Sequence, residues 1–383
     1  MNDIMFLKKE ILSSWRTNLM SYGINVFDFG AKGDGTTDDT AAIQAAIDYT
    51  AKRGGGKIYF PFTPRGYRIA SPAIEEVNGK PTRAQLVIPA GTANIQLEGE
   101  MPCRFLYSYQ VRPVDSPYGT TRFMPQPSDP EPRIFSSTTI FSDWDAPEEH
   151  DPKARPYSIL SAPEGTSCRG KFSCSQVTIT NLEFLVPMRR DKMYPTQSAV
   201  NLQNVSRVHV IDSQFALLES VGDSVLGAEL QENPCHTVGL MMSGDQNDHN
   251  VIRSVAVQGF KYGLVIGEHV IADYVYVHNC EEGIVLHDAS HISMIQHIVA
   301  QHNRCIITTT RGELFGHRPG PCNLSVGTVN YEPGHGHRPE SSRLVWGVYD
   351  PEKRLRGAMK WHQPGGDLVF PTLCSENFIV EKY

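Results

Sequence analysis

The side chains best placed to do chemistry together are ionisable groups that recur just after short apolar segments. Glu268 stands two residues after the segment ending at Ile266, Asp288 two after the one ending at Leu286, and Asp245 three after Met242. If these segments stack as neighbouring strands, roughly 4.8 Å apart, equivalent turn positions form a ladder in which Glu268 and Asp288 are neighbours. Two such carboxyl groups can share acid–base work, because like charge raises the pKa of one member and leaves it a proton to donate. Glu268 with Asp245, in the preceding unit, is the other pair the spacing allows. His269 and His287 flank the ladder, and Asp248 and His249 lie on the same edge in "GDQNDHN", so these four are candidate ligand-binding groups. The same residue types also suit solvent-facing turns, where short polar side chains bond to nearby backbone.

Positioning such a ladder requires a repeat. "VAVQGFKYGLVIGEH" from Val255 overlays "VYVHNCEEGIVLHDA" from Val275 at a period of twenty, bringing Gly263 onto Gly283. Gly239 lies twenty-four residues before Gly263, and Cys305 twenty-two after Gly283. Earlier segments, "SQVTITNLEFLVP" and "SAVNLQNVSRVHVIDSQF", alternate Val, Ile and Leu with Asn, Ser and Thr in the strand period. Short strands repeated this way, with almost no helical period between them, predict an all-β parallel β-helix, since one coil cannot bury its inner face alone. Leucine-rich repeats share the period, but their fixed leucine and asparagine pattern is absent.

Asn25 to Pro61, "NVFDFGAKGDGTTDDTAAIQAAIDYTAKRGGGKIYFP", contains neither phosphate-loop fingerprint. Thr37, Asp38 and Asp39 instead precede a helical pattern, where a side-chain oxygen can cap the first N–H groups. Ala42, Ile43, Ala46 and Ile47 form one apolar face, and glycines then end the helix before a strand. A helix over an exposed strand edge is one way to close a solenoid. Together with "YRIASP", this stretch resembles the start of the pectate-lyase-like family of right-handed parallel β-helices, closely over about Ile24 to Ser71 and through the coil pattern to about Thr310. The family holds glycoside hydrolases, polysaccharide lyases, sugar epimerases, fructan transferases and phage tailspikes. The resemblance therefore implies the fold and a carbohydrate ligand, and leaves the reaction open. Calcium held by Asp34, Asp38 or Asp39 is the alternative to a structural role for the motif.

On that resemblance the chain is expected to cleave glycosidic bonds as a glycoside hydrolase or intramolecular glycosyl transferase, with Glu268, Asp288 and Asp245 as catalytic carboxylates. A separation of roughly 5–5.5 Å would favour retention and roughly 6.5–9.5 Å inversion. A polysaccharide lyase is the alternative, needing a cation and a proton acceptor, for which Arg253, Lys261 and His278 are placed by location. A non-catalytic tailspike-type carbohydrate binder is the third reading. Between Met101 and Ser175 the coil pattern gives way to a long insertion with Tyr107, Tyr109, Tyr118, Phe123, Trp144 and Tyr157, and Trp144 is the candidate for stacking on sugar. A second acidic patch holds Glu219, Asp223, Glu229 and Glu232. The family's pectin-hydrolase motifs are not reproduced, and "GHGH" from Gly334 falls past the last clear coil, which argues against pectin.

Net charge is −7 with no stripe of Lys and Arg, the opposite of a nucleic-acid binder's footprint. No window reaches about 18 consecutive apolar residues, so no membrane span is expected. The first 23 residues carry Ile4, Leu7, Ile11 and Trp15 at helical spacing but no secretory signal pattern, and the expected location is the cytoplasm. The eight cysteines show no zinc-site spacing, so no metal or other cofactor is expected; Cys168 and Cys174 could pair in an exported protein. The organisation expected is a helical extension over 1–23, a β-helix over 24–310 with the insertion 101–175, and a β-rich cap over 311–383, with a homotrimer as one way to protect the solenoid ends.

Overall fold

The computed structural model describes residues 23–103, 109–110, 134–164, 174–189, 194–203, 205–218, 233–242, 249–287 and 293–301, with residues 303, 305–309 and 314–315 and strands between 323 and 370. It is a parallel β-helix. One sheet runs through Gly56–Phe60, Ala93–Gly99, Cys174–Thr180, Val205–Leu217, Asn250–Gln258, Val270–His278, Ser293–Gln301 and Asn323–Glu332. A second runs through Lys80–Val87, Ser158–Ser161, Ser198–Asn201, Val238–Met242, Tyr262–Ile266, Glu282–Leu286 and Cys305–Thr309. Each coil gives a strand to both, so apolar residues at equivalent positions stack into columns. Leu97, Ile179, Val210, Ile252, Ala272, Ile295 and Val326 form one such column in the first sheet. Leu86, Leu160, Val200, Leu240, Leu264, Ile284 and Ile307 form its counterpart in the second. All are buried, each large side chain contributing about 1.5–3 kcal/mol of apolar transfer energy.

Backbone conformation repeats with the packing. Asn94, Gln176, Arg207, His249 and His269 all have positive φ and occupy one register position on successive coils. Asn181, Asp212 and Ser254 form a second such column. Each bends the chain where the coil turns a corner, and Asn and Asp accept this left-handed geometry best among residues other than glycine.

The glycine column seen in the sequence has a steric cause. Gly239, Gly263 and Gly283 align across the second sheet, and a Cβ at Gly263 would sit 2.4 Å from the Gly283 carbonyl oxygen. Because that neighbour is backbone, Gly263→Ala is expected to cost about 1–3 kcal/mol, read as a lower urea midpoint; an unchanged midpoint would show that the coils can separate without penalty.

Helix α1 spans Thr40–Lys52, the segment expected, and buries Ile43, Ala46 and Ile47 in the main core with Ala42 packed against it. Its first N–H is capped by a preceding acid, as expected, and the acid is Asp38, not Asp39 at the N-cap position. Asp39 makes no capping bond; its carboxylate accepts the Lys32 and Gly33 N–H groups at 2.7 and 3.0 Å, and so pins the glycine-rich loop. Asp38 accepts the Thr40 N–H at 3.1 Å. Asp34 is taken up by Thr36 and Thr37. Protein donors thus occupy all three aspartates, in keeping with the structural role of the motif.

Both sheets continue past position 310. Arg343–Trp346 adds in parallel to Cys305–Thr309, and Arg354–Arg356 adds to Asn323–Glu332. Met359–Gln363 and Gly366–Phe370 then form an antiparallel hairpin. Within the stretch read as an insertion, Thr139–Ser142 and Ser158–Ser161 are parallel coil strands. The N-terminal extension before Gly23 is outside the described residues. Among the described residues no helix is long and apolar enough to cross a membrane.

Candidate functional site

Glu268 occupies the turn between Tyr262–Ile266 and Val270–His278. Backbone bonds from Gly267 N–H to the Met242 carbonyl, 3.0 Å, and from His287 N–H to the Ile266 carbonyl, 2.9 Å, stack this turn on the coils either side. The stacking closes over the Glu268 side chain, leaving it 1% exposed, with Oε1 3.6 Å from His269 Nε2. Asn250 Nδ2 donates to the Glu268 carbonyl oxygen at 3.4 Å. His249 and His269 are consecutive members of the positive-φ column, His249 exposed and His269 half-buried, whereas His287 is fully buried. Four of the expected residues therefore meet on one edge of successive coils. Asp245, Asp248 and Asp288 lie outside the described residues.

Trp144 stands elsewhere, beside the second sheet. Its ring meets Tyr157 edge to face with centroids 5.5 Å apart, and the Arg83 guanidinium lies 5.0 Å from the Tyr157 ring centre. Arg83 is itself held by Glu149 at 2.7 Å, and that guanidinium draws the Glu149 carboxyl below its usual range against the opposing effect of burial. The result is a half-buried Trp144 ring packed on a buried Tyr157 and bordered by an ion pair.

Lys261, one of the lyase candidates, belongs to a further cluster whose other members, His236 and Tyr262, the sequence did not single out. His236 Nδ1 is 2.9 Å from the Tyr262 hydroxyl, and the two rings are stacked. Lys261 Nζ donates to the Asn233 carbonyl at 2.6 Å and lies 3.6 Å from Glu281. Burial, then the nearby Lys261 charge, pulls the His236 imidazole down to about 4, and burial, then Glu282 and Glu281, pushes the Tyr262 phenol up. At neutral pH the pair is a neutral imidazole hydrogen-bonded to a neutral phenol. Lys261 over Glu281 was legible as a twenty-residue repeat. His236 gave no signal, because it reaches Tyr262 through a connection outside the repeat. Of the other lyase candidates, Arg253 is exposed on its strand, and His278 is buried 5.9 Å from the Tyr276 ring.

Stacked parallel coils make this a parallel β-helix protein, and its opening motif is similar to that of the pectate-lyase-like family. The family model described as "Rhamnogalacturonase A/epimerase, pectate lyase-like" matches residues 23–80. Among curated relatives, Alginate lyase 7 of Azotobacter vinelandii is 73% identical over 37 residues, covering 10% of this chain and 4% of the relative. Mannuronan C5-epimerase AlgE6 of the same organism is 55% identical over 47 residues, covering 12% and 5%. The matched segments thus span only a small fraction of those relatives' length. Among solved structures, a tailspike protein of E. coli bacteriophage HK620 in complex with a pentasaccharide is 11% identical, covering 90% of this chain and 62% of that one with a TM-score of 0.38. The A-module of Azotobacter vinelandii AlgE6 is 15% identical, covering 89% and 100% with a TM-score of 0.28.

Proposed function

We propose that this chain binds an oligo- or polysaccharide and cleaves its glycosidic bonds, as a glycoside hydrolase or intramolecular glycosyl transferase. The observation that carries the reading is Glu268, a carboxyl group withdrawn from water at a coil edge that also presents His249 and His269. Glycosidic cleavage needs one carboxyl to protonate the leaving oxygen and another to attack the anomeric carbon or activate water. Glu268 supplies one, and Asp288 or Asp245 is the proposed second. His269 positions the Glu268 carboxylate, with His249 and Asp248 as neighbours for substrate hydroxyls, while the fully buried His287 is out of a substrate's reach. Trp144 is the proposed platform for a sugar ring. The names of the curated relatives, an alginate lyase and mannuronan epimerases, favour a polysaccharide substrate.

A second reading rests on the His236–Tyr262–Lys261 cluster. A neutral imidazole beside a phenol and an ammonium has the parts for removing a proton next to a carboxylate, the first step of β-elimination or epimerisation. Incubation with a panel of plant, fructan and bacterial saccharides separates the readings. Shorter saccharides without ultraviolet absorbance support glycosidic cleavage, whereas unchanged chain length with an inverted uronate centre supports epimerisation. Products absorbing at roughly 230–235 nm, as the unsaturated uronates left by proton abstraction would, transfer the chemistry to His236 and Lys261. Retention of a saccharide with no product from any of the panel would reduce the proposal to a tailspike-type binder.

A further inference from the structure

Beside His236, and apart from Glu268, the residues Glu148, His150 and Cys235 bring together ligand atoms that all lie within 4.8 Å of one another. Two belong to the segment that leads from Trp144 to Tyr157, and the third precedes Val238–Met242. His150 Nε2 is 3.1 Å from Glu148 Oε2. Both stretches are held by other bonds. The Ala146 carbonyl accepts from Thr196 Oγ1 at 2.9 Å, and the Pro152 carbonyl from the Phe315 N–H at 2.6 Å. Cys235 N–H donates to Asn233 Oδ1 at 2.9 Å, and Asn233 is anchored in turn on Pro195 and Thr237. The thiol is buried, the carboxylate half-buried and the imidazole exposed, so a fixed sulfur faces a ligand that can swing in from solvent.

A thiol, an imidazole and a carboxylate are the donor set of zinc. Ligands on a tetrahedral Zn²⁺, at about 2.0–2.3 Å from the ion, stand about 3.5 Å apart, so these atoms need to draw together by about an ångström. We propose that Glu148, His150 and Cys235 form a Zn²⁺ site that clips the segment carrying Trp144 and Tyr157 to the start of the Val238–Met242 strand. Binding releases the Cys235 proton to solvent, the ion remains Zn²⁺, and water fills the fourth position. The site goes beyond the glycosidic reading, because no residue of the acid–base set belongs to it. No zinc spacing announces it in the sequence, since the ligands come from separate connections.

Cobalt provides a direct readout. The full chain, stripped with chelator and titrated with Co²⁺, is expected to bind one ion with a thiolate-to-metal absorption band in the near ultraviolet, bleached by Zn²⁺. Cys235→Ser should lose the band, and His150→Ala should bind at least about tenfold more weakly. Zn²⁺ at a concentration that saturates the wild type should raise its thermal midpoint, raise that of His150→Ala less, and leave that of Cys235→Ser unchanged. Because His150 is exposed, its variant tests the site even if Cys235→Ser folds poorly. Absence of a thiolate band, or uptake unchanged in both variants, would overturn the assignment.

Discussion

Glu268→Gln is expected to lower turnover of a saccharide substrate by roughly a hundred- to ten-thousandfold, with binding of that substrate and the circular dichroism spectrum unchanged. The substitution keeps volume and shape in a site that is 1% exposed, so it removes the transferable proton or the negative charge without opening a cavity. The role of the carboxyl can be separated further. If Glu268 is the proton donor, a substrate with a good leaving group should regain most of the lost rate; if it is the nucleophile or base, the loss should persist. Wild-type turnover in the glutamine variant would remove Glu268 from the chemistry and leave it a corner residue whose burial serves the coil.

Asp39→Ala is expected to cost roughly 3 kcal/mol of stability, because two backbone donors of the glycine-rich loop lose their acceptor in a buried setting. The readout is a lower urea midpoint at unchanged slope. Burial raises the Asp39 pKa, outweighing the Lys32 and Gly33 N–H groups that oppose it. Its linkage contribution is therefore fully present below the unfolded value and lost as pH rises through the folded one. Asp38 has the opposite sign. Burial would raise it, but bonds from Thr40, Ala70 and Ser71 win and hold it at about 2. Its contribution is present above the unfolded value of 3.8 and lost as pH falls towards about 2. Asp38→Asn should accordingly flatten the acid limb of the stability curve, while Asp39→Ala lowers the whole curve and keeps that limb. An Asp39 variant as stable as the wild type would show that the opening motif does not depend on this carboxylate.

Periodic features were legible because a solenoid converts sequence period into spatial contact. Gly263 and Gly283 are twenty residues apart and one strand apart, and the limits of helix α1 follow from the apolar spacing of Ile43, Ala46 and Ile47. The same logic brought Glu268, His269, His249 and His287 to one edge. The N-terminal aspartates were read correctly as structural, but their division of labour was not legible. Asp38 and Asp39 are adjacent and chemically identical, and only the path of the Lys32–Gly33 backbone directs Asp39 to the loop and Asp38 to the helix.

By itself the sequence determined the stacking of coils, the apolar columns and the glycine contacts, since nearest-neighbour packing at a fixed period depends on local residue type and spacing. Tertiary structure decided what the irregular connections do. The meeting of Glu148 and His150 with Cys235, the docking of His236 on Tyr262 and the placement of Trp144 on Tyr157 all join residues outside the repeat. No period relates such residues, and their contacts exist only once loops of particular length have draped over the finished sheet.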